Sequence, residues 1–362
     1  MIDPPRSSVN ALSIAAFFAD GHSQFGAVAD REFDELLGDC EHHRLLGLVG
    51  EAVRTGALPV TARQRDQVEE RVAAWLAHAL RVERSVLATV SILDSIGIEH
   101  RILKGVALAH LVYPDPSRRV FGDADILIRS QDFERAALVL AERLGGTRAW
   151  PELRGGFDTR FGREITIRIG RLELDLHRTL VDGPFGLWIV LDELWGDPQP
   201  FELGGRRLFA LSPEAQLIHS CYAAALGDWP PRWAPRRDIV ELLRAGTVDS
   251  LRVVALATSW RGRAVVADSL NEATTALGMA VDHELAVWAR AYRASPVERT
   301  VLRSYRGKAR GYTSQALSVL AMPGLRDRAA YVRAIMAPDA AYREARDLPA
   351  GGLVRRAWQR WR

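Results

Sequence analysis

Two aspartates, Asp123 and Asp125, stand one residue apart in the segment FGDADILIR. On a strand, alternate side chains share a face, so both carboxylates point the same way, roughly 6.6 Å apart along the chain. Ala124, Ile126 and Ile128 then face the core. Paired carboxylates on an apolar strand repel one another and lose solvation, and a divalent cation relieves both costs. Hard oxygen ligands of this kind predict Mg²⁺, or Mn²⁺ in its place.

A third carboxylate, Asp175, lies in the segment RLELDLHRTL. Its leucines occupy one face of the predicted strand, and Asp175 and His177 occupy the other. If this strand lies beside the first, Asp123, Asp125 and Asp175 can hold two metals, one at an attacking hydroxyl and one at a triphosphate. Asp175 is then the general base, or the ligand that lowers the pKa of the hydroxyl. His177 either contacts a ligand of the metal without binding the metal itself, or is an edge-strand histidine without a role.

The segment ILKGVAL predicts a strand that runs into a helix at Lys104 and Gly105. Gly105 would let the backbone approach a phosphate, and a helix amino terminus favours negative charge. Lys104 would add a point charge to nucleotide phosphates. Of the 48 cationic residues only Lys104 and Lys308 are lysines, which marks Lys104 for attention because the two cation types differ chemically.

Hydrophobic periodicity predicts the elements that position these residues. Thr61 caps a long helix that ends near Ser95, with Gly97 beyond it, and Ser212-Pro213 starts a later helix. Between them we predict strands at 98–103 and 123–129, helices at 106–112 and 132–144, and a hairpin at 163–177. This order implies a mixed α/β (α+β) sheet core over 98–210, flanked by a helical region at 1–97 and another at 211–362.

Composition is that of an ordinary globular protein, with 362 residues, 48% hydrophobic and 26% charged. No apolar run is long enough for a transmembrane helix, no signal-peptide pattern is present, and two cysteines indicate no disulfide framework. These features predict a cytoplasmic protein.

The net charge of +3 hides a basic carboxyl-terminal end, since residues 299–362 carry 14 Lys or Arg against 4 Asp or Glu. Its last segment, GGLVRRAWQRWR, places two tryptophans on an apolar helical stripe beside clustered arginines. Such a tail fits an acidic partner, an RNA or an anionic membrane surface. The alternative is a terminal helix whose apolar stripe packs on the protein body.

The run RILKGVALAHLVYPDPSRRVFGDADILIR resembles the family of uncharacterised nucleotidyltransferases, which belongs to the DNA polymerase β-type superfamily. The matching positions are Lys104, Gly105, Tyr113, Pro114, Asp115, Arg119, Asp123 and Asp125, and LELDLH adds Asp175 and His177. The similarity extends over roughly 45–243 and includes a later helical segment with His219 and Asp238.

The resemblance implies a polymerase β-type core in which Mg²⁺ or Mn²⁺ binds at the three aspartates and an NTP is the donor. It also implies nucleotide binding by Lys104, Gly105 and Arg119. From its neighbours alone, Arg119 either contacts a phosphate or pairs with Asp115. Asp238 either forms a salt bridge or orients the acceptor. The acceptor stays open among a small molecule, a peptide, a protein and an RNA end, and peptide tailoring is one of the settings in which such relatives occur.

Three other functions compete with nucleotidyl transfer to a hydroxyl or phosphate. A phosphoryl transferase could use the same metal site. A nucleotide-binding regulatory protein could keep the fold without turnover, but three costly like charges argue against a dead site. A glycosyltransferase with its own Asp-x-Asp pair would leave Lys104-Gly105 and Asp175 unexplained.

Overall fold

The computed structural model describes residues 9–17, 24–278, 283–307 and 310–348. The segment 351–362, with its predicted stripe of tryptophans and arginines, lies outside the described residues. Both interpretations of that segment therefore stay predictions.

Helices form the amino-terminal part of the chain, as predicted: α1 (Ala11–Ala16), α2 (Asp30–His42), α3 (Leu46–Arg54) and α4 (Ala62–Ser95). Thr61 caps α4 through a capping box, in which its hydroxyl accepts from the Gln64 backbone N–H. The Gln64 side-chain oxygen accepts from the Thr61 N–H at 3.0 Å in return. Beyond the helix, Gly97 adopts a φ of +68°, the left-handed conformation that glycine takes at low cost.

One sheet forms the centre of the molecule, with strands β1 (His100–Ile102), β2 (Ala124–Ile128), β3 (Thr147–Arg148), β4 (Glu164–Ile169), β5 (Leu172–His177), β6 (Gln199–Leu203) and β7 (Arg206–Ala210). The strand order is β3-β4-β5-β2-β1-β7-β6. Strand β2 is parallel to β5 and β1 is parallel to β7, while the other neighbours are antiparallel. The predicted mixed α/β fold is confirmed. The hairpin β4–β5 turns at Gly170 as expected, whereas the hairpin β6–β7 lies outside the predicted elements.

Helices within and beyond the sheet region are α5 (Lys104–Leu111), α6 (Phe133–Arg143), α7 (Phe157–Arg160), α8 (Gly183–Trp188), α9 (Pro213–Leu226), α10 (Ala234–Arg244), α11 (Ser250–Ser259), α12 (Arg263–Ala276), α13 (Glu284–Ala291), α14 (Pro296–Arg303), α15 (Arg310–Ala321), α16 (Leu325–Met336) and α17 (Ala340–Ala345). Ser212 caps α9, with Pro213 at its first position, as predicted. Helix α5 begins at Lys104, two residues earlier than expected. No helix in the described ranges is long and apolar enough to cross a membrane.

Both faces of the sheet are covered, which differs from the one-sided burial predicted for β2. Ile126 and Ile128 pack with residues of α4 and α6 in one hydrophobic cluster. Leu127, on the same face as Asp125, packs with residues of α9 and α10 in a second cluster. The carboxylate face is therefore enclosed by the carboxyl-terminal helices. Because the second cluster joins residues from all three predicted regions, the division at 97 and 210 stays a prediction.

Gly105 gives a test of how β1, α5 and the segment before β2 pack. A Cβ added at this position would collide with the Cβ of Phe121, which is itself buried. We expect Gly105→Ala to lower the free energy of unfolding by about 1–3 kcal/mol, measured by urea denaturation.

Gly38, on α2, is the matched control, since an added Cβ there meets nothing within 4 Å. We expect Gly38→Ala to raise stability by about 0.5–1 kcal/mol. Equal effects of the two substitutions would contradict the close contact at Gly105.

Candidate functional site

The site begins with three polar side chains that lie side by side on neighbouring strands. Asp125 of β2 is in register with Asp175 of β5, and Asp175 is in register with Thr166 of β4. Residues in register across paired strands present their side chains on the same face. The Thr166 hydroxyl donates to Asp175 Oδ1 at 2.6 Å. The predicted approach of the two aspartate strands is thus present, and it makes a row of oxygens across three strands.

Two cationic or proton-bearing groups converge on one oxygen of Asp125. Lys104 Nζ donates to Asp125 Oδ1 at 2.9 Å, and His177 Nε2 lies 2.6 Å from the same atom. Lys104 reaches this position from the first turn of α5 with a φ of +42°, an uncommon value for a residue with a Cβ. The lysine that the sequence marked for phosphate binding is therefore also the internal partner of a buried carboxylate.

A cluster of ligand atoms suited to a cation is formed by Asp125, Asp175 and His177, one atom from each lying within 4.8 Å of the others. Asp123, which the sequence grouped with Asp125 and Asp175, does not join this cluster. Its Oδ1 lies 3.8 Å from Arg44 Nη1 on the cavity wall. Two carboxylates and an imidazole form a donor set that fits Mg²⁺ or Mn²⁺, and the imidazole suits Mn²⁺ better.

The three aspartates differ in their pKa values. Burial would raise the pKa of Asp125, but the Lys104 ammonium and the hydrogen bond from His177 hold it well below its usual range. Burial, and then the charge of Asp125, raise the pKa of Asp123. Burial, and then the charge of Glu164, raise the pKa of Asp175 to about 6. Asp125 is the carboxylate that stays ionised, while the pKa values of Asp123 and Asp175 are both raised.

Arg119 and Asp238 form a buried salt bridge that joins the segment before β2 to α10. Arg119 Nε donates to Asp238 Oδ1 at 2.6 Å and Nη2 donates to Oδ2 at 2.7 Å, while the Tyr113 hydroxyl donates to Oδ1 at 2.8 Å. The pairing of Arg119 with Asp115 considered from the sequence is wrong, because the Asp115 side chain accepts from the Ser117 N–H. A phosphate contact of Arg119 stays a prediction. Its guanidinium is already held by Asp238.

A cavity of about 510 Å³ opens beside these residues, between the sheet and the carboxyl-terminal helices. Its wall includes the predicted residues Lys104, Gly105, Arg119, Asp123, Asp125 and Asp238. Gly105 allows the backbone to pass close to Phe121, so its small size is also needed for packing. Asp175 and His177 are not part of this wall; they lie next to Asp125, which His177 contacts and with which Asp175 is in register.

Three arginines of the wall, Arg44, Arg163 and Arg232, were not indicated by sequence patterns, and His219, from the segment that the resemblance included, lines the wall as well. Arg44 comes from the turn after α2, with a left-handed φ of +59°, far from the other site residues in sequence. His219 is buried, its Nε2 has no hydrogen-bond partner among the described residues, and burial followed by the charge of Lys104 lowers its pKa well below the usual range. The wall carries as many aspartates as Lys and Arg residues, so a cation bound at the carboxylates would give it the positive charge that a polyphosphate requires.

The opposite pKa shifts of the paired aspartates predict opposite effects on stability. At pH 7 without metal, an ionised Asp123 disfavours the folded state, so we expect Asp123→Asn to raise the melting temperature. An ionised Asp125 stabilises the fold through Lys104 and His177, so we expect Asp125→Asn to cost about 2–4 kcal/mol. Differential scanning calorimetry in the presence of EDTA measures both changes. Shifts of the same sign for the two variants would contradict the assignment of Lys104 to Asp125.

The chain is similar to known proteins over part of its length. Among solved structures, the chain is similar to the antibiotic-resistance factor ANT(2'')-Ia, with 17% identity, a TM-score of 0.36, and coverage of 51% of this chain and 94% of the other. It is also similar to an antigenic nucleotidyltransferase-like protein from Paracoccidioides brasiliensis, with 18% identity, a TM-score of 0.33, and coverage of 54% and 93%. No curated protein matches the chain. The family model described as uncharacterised nucleotidyltransferase matches residues 29–277, more than half of the sequence, and the chain belongs to that family.

Proposed function

We propose that this protein is a metal-dependent nucleotidyltransferase that transfers a nucleotidyl group from an NTP to an acceptor hydroxyl or phosphate. Membership of the nucleotidyltransferase family supports the general reaction. The observation that carries the proposal is the in-register pair Asp125 and Asp175, which lies beside a cavity whose wall holds Lys104 and Arg44. Carboxylates at one edge of a cavity that also presents Lys and Arg side chains can hold a metal and a polyphosphate together.

Asp125, Asp175 and His177 would hold the Mg²⁺ or Mn²⁺, with Asp123 on the same wall. When bound, the ion would polarise the α-phosphoryl group and neutralise charge on the phosphates. Lys104 would exchange part of its contact with Asp125 for an oxygen of the NTP, and Arg44 would bind the phosphate tail. Arg119 and Asp238 would hold the wall in place from behind.

The acceptor hydroxyl would lose its proton to Asp175, which lies in register with Asp125 at the cluster of ligand atoms. The hydroxyl oxygen then forms a bond to the α-phosphorus. The bond between the α-phosphorus and the oxygen bridging to the β-phosphate breaks, and pyrophosphate leaves with the electron pair. The Thr166 hydroxyl, which donates to Asp175 Oδ1, would fix the orientation of this carboxylate.

The direct test supplies each α-labelled NTP in turn, with Mg²⁺ or Mn²⁺ and a cell extract as the source of acceptor. Mass spectrometry identifies the labelled product and its added mass. We expect Asp125→Asn and Asp175→Asn to lower the transfer rate at least 100-fold. Asp192→Asn is the control, because that side chain is 96% exposed on the surface and should leave the rate unchanged.

Label that reaches the acceptor from γ-labelled NTP but not from α-labelled NTP would indicate phosphoryl transfer instead. NTP binding without transfer to any extract component would favour a regulatory protein.

Metal binding should depend on pH through Asp175. Below about pH 6 this carboxyl is protonated in the folded protein, and a cation must displace the proton; above it the carboxylate is free to bind. We expect the Mn²⁺ affinity, measured by isothermal titration calorimetry, to fall about tenfold per pH unit below 6 and to level off above it. Asp125 is ionised throughout this range and contributes no inflection.

Asp268 supplies a control, since burial raises its pKa as well and it belongs to neither group of candidate ligand atoms in the described part of the chain. Asp268→Asn should leave the inflection in place. A flat Mn²⁺ affinity from pH 5 to 8, or loss of the inflection in Asp268→Asn, would contradict the role of Asp175.

A further inference from the structure

A second cavity, of about 330 Å³, lies on the other side of the carboxylate row. Its wall includes Thr166 and Glu164 of β4, whereas the first cavity is lined by Asp123 and Asp125. Asp175 lies between the residues of the two cavity walls, in register with Asp125 on one side and Thr166 on the other. The carboxylate row therefore separates two chambers, and Arg163 and Asp182 line both of them.

Thr166 links the second cavity to the carboxylate of Asp175. This residue lines the cavity and its hydroxyl donates to Asp175 Oδ1 at 2.6 Å. In-line displacement at phosphorus requires the entering and leaving groups on opposite sides of the phosphoryl group. If the donor is held among the cations of the first cavity, the acceptor must therefore approach its phosphorus from the side of Asp175.

Residues beyond the family match complete the second cavity. Ile335 of α16 and Tyr342 of α17 line it, and both lie after residue 277. Contacts with the loop after β3 hold these helices in place: Arg154 Nη1 donates to the Ala337 carbonyl at 2.6 Å, and the Asp339 N–H donates to the Leu153 carbonyl at 3.0 Å. This wall is thus built by the part of the chain that distinguishes it from the shared family core.

The charged groups of the second cavity are already engaged with one another or with an aromatic ring. Arg148 is paired with Asp158, Arg163 is paired with Glu164, and the Arg346 guanidinium lies over the ring of Trp150. The cavity also has an apolar side, formed by Leu153, Phe157 and Ile335. Its volume is in the range of small-molecule pockets.

We infer that the second cavity binds the acceptor, and that the acceptor is a small hydroxyl-bearing molecule with an apolar portion. The inference rests on the proposed function and narrows its acceptor from four classes to one. The hydroxyl enters past Thr166 and gives its proton to Asp175 as its oxygen bonds to the α-phosphorus. The apolar portion packs against Phe157 and Ile335, and pyrophosphate leaves through the first cavity.

The test compares two substitutions on α16 in the full-length protein. Ile335→Trp fills the second cavity, while Val332→Trp adds the same side chain at a position that is 41% exposed and does not line the cavity. The probes are the labelled NTP and the small-molecule, protein and RNA fractions of a cell extract, supplied separately. We expect label in the small-molecule fraction alone. Ile335→Trp should raise the KM for the labelled small molecule at least tenfold, with Val332→Trp unchanged.

Binding of a non-hydrolysable NTP analogue with Mg²⁺, measured by calorimetry, should be the same in both variants, because the donor occupies the first cavity. If Ile335→Trp does not fold, Ile335→Ala replaces it, and the enlarged cavity should raise the same KM with no change in analogue affinity. Label in protein or RNA, or an unchanged acceptor KM in both Ile335 variants, overturns the inference but leaves nucleotidyl transfer standing. Absence of label in every fraction with every NTP overturns the proposed function itself.

Discussion

The contact of Lys104 and His177 with one oxygen of Asp125 is the interaction on which the site depends. A buried carboxylate without a partner costs several kcal/mol, and here it lies next to two more carboxylates on the same face of the sheet. The ammonium of Lys104 at 2.9 Å and the imidazole of His177 at 2.6 Å remove that cost. They also lower the pKa of Asp125, which keeps it ionised, while Asp123 and Asp175 take the raised values.

The surrounding fold can be understood as the support for this contact. The left-handed φ of Lys104 turns the chain from β1 into α5, so that the ammonium faces β2. The parallel pairing of β2 with β5 brings His177 and Asp175 alongside. The buried bridge between Arg119 and Asp238 then ties the segment before β2 to α10, which encloses the carboxylate face. Each of these elements therefore restricts the position of a charged side chain in the site.

Local patterns in the sequence predicted the parts of the site that depend on strand geometry. Period-two alternation was enough to place Asp125 and Asp175 on the polar faces of their strands, and the glycine between two alternating runs was enough for the hairpin β4–β5. The long helix α4 followed from its cap and its apolar spacing. These features depend on residues a few positions apart, which is the range over which backbone periodicity carries information.

Contacts between distant segments could not be predicted in this way. The partner of Arg119 is 119 residues away, and no periodicity distinguishes Asp238 from the nearer Asp115. Arg44 reaches the cavity from a turn between two amino-terminal helices, where nothing in its neighbourhood indicates a role. The exchange of His177 for Asp123 in the cluster of ligand atoms depends on side-chain positions across two strands. The second cavity depends on helices packed against a loop nearly 200 residues earlier.

The position of the Lys104 ammonium also has a consequence for how a metal ion would bind to the protein. A positive charge attached to the chain is always present at its carboxylate, whatever the ion concentration in the cell. Domains that use a metal as a structural element fold only after the ion arrives, because nothing else balances their ligands. This chain carries its own counter-ion and can complete its core without a metal ion. If the proposed function holds, the ion would bind to a protein that is already folded, and its depletion would lower turnover without unfolding the protein.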